Sequence, residues 1–155
     1  MTISHKNITN ADLHEPKDVS SASVNTVYVA DGAGSGDWAQ APYLYSLQTE
    51  LADISTSSSA YSVVPIAGEI SAIRTVLDGA ITVADAAITF FINGTPITSS
   101  GITVAYSGSA AGDRDSSTPS AANVVAAGDL ITSTTNGLST TSRGLQIVYT
   151  IKVGY

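Results

Sequence analysis

An all-β fold, an antiparallel β-sandwich of jelly-roll-like type with an extended N-terminal arm, is predicted by three features of this 155-residue chain. First, 43% of the residues are hydrophobic and only 12% charged, which supports a real core but leaves few side chains for solvated helix faces. Second, Ser, Thr and Gly fill much of the remainder, and β-branched residues recur in short runs bounded by polar turns. Third, about seven or eight such runs follow one another at the spacing of an antiparallel sandwich, for which a jelly roll is favoured over an immunoglobulin-like arrangement.

Three zones follow in order: residues 1–40 as an arm, 41–59 as a connector and 60–155 as the jelly-roll-like domain. The arm carries neither a strand nor a helix period, although Val24 to Ala30 has the β propensity to add a strand to an exposed sheet edge. In the connector, Tyr43 to Leu51 alternates at first and then permits a helical turn, leaving strand and short helix both open. The serine-rich stretch Ser55 to Ser59 reads as a loop.

Within the domain, strands are expected at Tyr61 to Ile66, Glu69 to Leu77, Ala87 to Ile92, Thr95 to Thr98, Ile102 to Tyr106, Asp129 to Thr134 and Leu145 to Val153. Strict alternation along Glu69 to Leu77 puts Ile70, Ala72, Arg74 and Val76 on one face, with Ser71, Ile73, Thr75 and Leu77 on the other. Asp78-Gly79 supplies a turn, and Asn93-Gly94 a tight type I′ hairpin, because both residues tolerate positive φ. Leu145 to Val153 is apolar at every odd position, the pattern of a strand with one face on a core, and its expected neighbour is Val124 to Ile131. Gly108 to Ala122, rich in Ser, Gly and Asp, reads as a long surface loop.

Charge and residue inventory narrow the function. A net charge of −7 with six scattered Lys and Arg argues against a nucleic-acid partner, since neutralising phosphates takes clustered cations. No cysteine is present, so neither disulfides nor thiolate metal sites arise. No run approaches the roughly 18 apolar residues of a membrane span, and the first residues lack an apolar signal core; synthesis in the cytoplasm with no membrane partner is expected. The two histidines, His5 and His14, have no third ligand at metal-like spacing, so no metal or cofactor is expected. Gly32-Ala33-Gly34-Ser35-Gly36 lacks the Lys-Ser/Thr of a phosphate loop and reads as a glycine turn. Asp113, Asp115 and Asp129 fit no EF-hand pattern and read as solvated loop charges. No serine elbow is followed by a histidine, and no catalytic residue is assigned. Arg74 is either partly buried and paired with an acid or exposed with its stem on apolar surface, and Tyr149 fills a sheet or interface position.

The strings His5-Lys6-Asn7-Ile8-Thr9-Asn10, Leu13-His14-Glu15-Pro16-Lys17 and Asn25-Thr26-Val27-Tyr28-Val29-Ala30-Asp31-Gly32-Ala33-Gly34-Ser35-Gly36-Asp37-Trp38 together form an arm that resembles those of capsid-associated proteins of tailed bacteriophages, the decoration, cement or head-fibre proteins. Ala67-Gly68-Glu69-Ile70, Ala127-Gly128-Asp129-Leu130-Ile131 and the alternating C-terminal strand look like the trimeric jelly-roll domains of such proteins. The resemblance implies a non-enzymatic virion protein, made in the host cytoplasm, that sits on the capsid exterior and stabilises it. Its partners would be the major capsid protein and two further copies of itself in a homotrimer. His5, Asn10, His14, Glu15, Pro16, Lys17, Tyr28 and Trp38 are the residues expected to bind the capsid, with Pro16 pre-setting an extended bend. The alternative expectation is a receptor-binding or fibre-tip module that recognises host glycan through Gly108 to Ala122.

Overall fold

The computed structural model describes residues 22–23, 26–30 and 36–154. Twelve strands and no helix make up the described chain: β1 (Thr26–Ala30), β2 (Gly36–Gln40), β3 (Tyr43–Leu51), β4 (Ser58–Val63), β5 (Gly68–Leu77), β6 (Ala86–Ile92), β7 (Thr95–Pro96), β8 (Ile102–Val104), β9 (Arg114–Ser117), β10 (Val124–Val125), β11 (Leu130–Thr135) and β12 (Leu145–Val153). Two compact units divide the chain after Pro42. The first holds β1 and β2, paired antiparallel as a hairpin; the second holds the other ten strands.

In the second unit, one sheet runs β10-β5-β12-β3, with β9 also on β5, and the other runs β4-β11-β6-β7, with β8 also on β6. All pairings are antiparallel. The connectivity is nested: β3 pairs with β12, β4 with β11, β5 with β9, and β6 with β8. A long hairpin rolled up so that its successive pairs fall alternately in two sheets produces this order, which is the jelly roll. Between the sheets lies an apolar core that includes Leu51, Ile54, Ile70, Ile73, Leu77, Ile88, Phe90, Ile131 and Ile147.

The central strand β12 alternates over its whole length, with Leu145, Ile147, Tyr149, Ile151 and Val153 buried and the even positions turned out. Its bounds agree with the sequence expectation. Its neighbours do not: β12 lies between β5 and β3, whereas Val124–Val125 pairs with β5 and Leu130–Thr135 belongs to the opposite sheet. The nine residues of β3 pair with β12 along their full length, so Tyr43–Leu51 is a strand rather than a helical turn in a connector.

Strict alternation fails in β5. Thr150 faces Ala72 but Ile151 faces Ile70, so Ser71 is an extra residue, a β-bulge whose hydroxyl donates to the Thr150 carbonyl at 3.1 Å. The bulge shifts the phase, and Ile70 now buries on the same side as Ile73, Thr75 and Leu77. Ala72, Arg74 and Val76, opposite Thr150, Val148 and Gln146, keep the shared face expected for them, and Ile70 leaves it.

Two turns share one construction. Ala110-Ala111-Gly112-Asp113 and Ala126-Ala127-Gly128-Asp129 have the same sequence, the same positive φ at glycine (88° and 92°), and the same 2.7 Å bond from the alanine N–H to the aspartate Oδ2. The first clamps the end of β5 through Leu77 and leads into β9; the second clamps Val64, just past β4, and leads into β11. Each sheet thus begins one nested pair with the same device. Asn93 and Gly94, at φ 49° and 83°, form the expected two-residue turn between β6 and β7.

Candidate functional site

Of the residues expected to bind the capsid, His5, Asn10, His14, Glu15, Pro16 and Lys17 lie outside the described residues. Tyr28 and Trp38 lie within them, in a hairpin that corrects the reading of residues 1–40 as lacking a strand period. Val27, Tyr28 and Val29 supply the β propensity, and Tyr28 is the direct cross-strand partner of Trp38. Their rings meet edge to face, with centroids 5.5 Å apart and an interplanar angle of 68°. At the mouth of the hairpin, an added Cβ on Gly36 would come within 2.2 Å of the Val29 carbonyl oxygen, so only glycine fits.

Alternation gives the ribbon two distinct faces. Tyr28 and Trp38 share one and are each half-buried. Val27 and Val29, 40% and 47% exposed, share the other with their partners Ala39 and Asp37. The ribbon therefore offers an apolar valine face as well as an aromatic one.

A second feature lies on the outer face of the β9-β5-β12-β3 sheet. The cross-strand row Arg114, Val76, Gln146, Glu50 runs beside the row Ser116, Arg74, Val148, Gln48. Arg74, Arg114, Val76, Val148, Ser116, Thr75 and Asp115 border a hollow of about 490 Å³. Arg74 is exposed, and its Nη1 donates to Thr150 Oγ1 at 3.1 Å, so the open alternative holds: an exposed guanidinium on apolar surface rather than a buried ion pair.

Arg114 and Ser116 stand in β9, which lies inside Gly108 to Ala122; that stretch is therefore not one long loop. Its own residues do not mark this strand, because Arg-Asp-Ser-Ser contains no apolar residue. The signal that marks it is the Ala-Ala-Gly-Asp turn before it, which is repeated before β11.

The aspartates have structural work. Asp113 and Asp129 close the two related turns, and Asp129 Oδ1 also accepts from Asn93 Nδ2 at 2.8 Å. The Ala126 N–H, and after it Asn93, hold the Asp129 carboxyl below the usual carboxylate range. Burial, and then the charge of Asp113, raise Asp115. Among the described residues no group of three or more His, Asp or Glu could hold a metal ion, and no helix is long and apolar enough to cross a membrane.

No protein-family model matches the sequence, and no curated protein matches it. Among solved structures, the chain is similar to dimeric latent PorU from Porphyromonas gingivalis, with a TM-score of 0.40 and 11% identity. That similarity covers 71% of this chain and 13% of the PorU chain.

Proposed function

We propose that this protein is a structural component of a tailed-phage virion that binds the outer surface of the capsid, stabilises it, and acts as a homotrimer. The observation that carries the reading is the β1–β2 hairpin, which forms its own unit within the segment that resembles phage capsid-binding arms. A two-stranded ribbon is marginal by itself in water and needs a surface to cover it. In this reading the major capsid protein supplies that surface, against Val27 and Val29 or the Tyr28–Trp38 face, while the segment holding His5, Asn10, His14, Glu15, Pro16 and Lys17 extends the contact.

Self-association has separate support. None of the strands β4, β6, β7, β8 and β11 contains a charged residue, although the chain carries a net charge of −7. On the outward side of that sheet, Tyr61 and Val63 are 64% and 62% exposed, and Leu130 stands opposite Val63. Copies of an acidic protein can bring such a face together without like-charge repulsion. Three arms on one trimer then act with avidity, so modest contacts per arm combine into a firm clamp.

Co-sedimentation with empty heads of the parent phage tests the proposal. The full chain should pellet with the heads, a chain starting at Tyr43 should fold but stay in the supernatant, and Tyr28→Ala with Trp38→Ala should lower occupancy. Full occupancy by the chain starting at Tyr43 would overturn it.

A further inference from the structure

We propose that the outer face of the β9-β5-β12-β3 sheet binds an acidic saccharide, whose carboxylate is taken between Arg74 and Arg114. In a chain with only six Lys and Arg against thirteen Asp and Glu, two guanidiniums on one hollow are a local reversal of charge. The register fixes their relation: Val76 faces Arg114 and Arg74 faces Ser116, so the arginines are diagonal neighbours on one face, with Cα atoms about 7–8 Å apart. That spacing lets two planar forks converge on one carboxylate. Arg74 bonds only a neutral hydroxyl, and among the described residues no ion pair holds either guanidinium.

Acidic groups nearby do not cancel the site. Asp115 also borders the hollow, but it pairs with the buried Thr75, and alternation puts its side chain on the other side of β9 from Arg114. Glu50 closes the Arg114 row three strand spacings away, about 14 Å.

The rest of the surface selects the ligand. Val76 and Val148 give an apolar floor, while Ser116, Thr150, Gln146 and Gln48 surround it with neutral hydroxyls and amides. β5 and β12 are paired on both sides, so their backbone groups are engaged in the ladders. A ligand on this face therefore meets side-chain hydroxyls, amides and guanidiniums, which suit a polyol bearing a carboxylate. A peptide would instead seek unpaired backbone at a sheet edge. The volume lies within the range of small-molecule sites. Arg114 and Ser116 come from within Gly108 to Ala122, but they contribute to this face as β9 residues in register with β5 rather than as a loop.

The test is an NMR titration of the full chain with tetragalacturonate, with a neutral galactose tetramer and a hexaglutamate peptide as comparators. Saturable shifts at Arg74, Val76, Arg114, Ser116 and Val148, with at least roughly tenfold weaker binding by the Arg74→Gln, Arg114→Gln pair, are expected. Val148→Glu, which puts an anion on the floor, should weaken binding similarly and serves if the double variant fails to fold. No saturable binding, or unchanged binding by these variants, would overturn the site. Equal binding of the neutral tetramer would overturn the carboxylate role, and equal binding of hexaglutamate the saccharide assignment. The inference does not rest on capsid binding: Arg74→Gln with Arg114→Gln should leave head co-sedimentation intact.

Discussion

Tyr149 is fully buried at the centre of β12, where its hydroxyl bonds that of Ser133 on β11 and its ring meets Phe90 edge to face at 5.9 Å. This polar contact joins the two sheets inside an otherwise apolar core. Every buried side-chain polar atom among the described residues has a partner, so removing one hydroxyl creates a defect that the native packing lacks. Tyr149→Phe keeps the ring and strands the Ser133 hydroxyl, at a cost of about 1–3 kcal/mol. For a protein of this size that is a fall in Tm of roughly 3 °C per kcal/mol.

Adding Ser133→Ala removes the stranded group, so the double variant should recover most of the loss, giving a coupling of about 1–2 kcal/mol in urea unfolding. The burial of the same phenol makes an alkaline prediction. Burial pushes the Tyr149 phenol well above its ordinary value, outweighing the opposing effect of the Ser133 bond. The folded state therefore keeps a proton that the unfolded state releases above about pH 10. This contribution is intact below that pH and is lost as pH rises further, by up to about 1.4 kcal/mol per pH unit. Tyr149→Phe should lack it. Equal stability of the single and double variants, or an unchanged alkaline slope in Tyr149→Phe, would refute the reasoning.

Two glycines should respond differently in urea melts. A Cβ at Gly94 meets nothing within 4 Å, so Gly94→Ala should cost only the left-handed φ, about 1 kcal/mol, and Gly94→Asn less. A Cβ at Gly68 would lie 2.4 Å from the Lys152 carbonyl oxygen and 2.6 Å from Ile151 Cγ2, so Gly68→Ala should cost up to about 3 kcal/mol, with no side chain rescuing it. Acid should act through Asp129: its carboxyl titrates low when folded, so its stabilisation is present above the ordinary aspartate range and lost as pH falls below it. Asp129→Asn should flatten the dependence of Tm on pH between about 4 and 2.

What could be read from the residues was whatever they decide locally. β12 announced itself because apolar positions two apart must share a face, and Asn93-Gly94 because few other pairs accept two positive φ values. β9 did not, because its four residues are held by the ladder to β5 and the turn before it rather than by burial of their own. The Ser71 bulge carries no glycine or proline to mark it, and one extra residue was enough to move Ile70 across the sheet. The neighbours of β12 are distant in sequence, and nested pairing leaves no short-range signal. The arginine hollow combines these difficulties: it needs β9 to be a strand and its register on β5 to be known.

The nested order also brings the two ends of the jelly roll together. Tyr43 and Val153 are direct cross-strand partners, so the unit is closed by the pair most distant along the chain. A short linker from 153 to 43, with new termini opened near Gly108 in the turn before β9, would convert that closing pair into a local hairpin. Non-local pairing slows folding, so such a circular permutant should reach the same sandwich faster than the natural chain order.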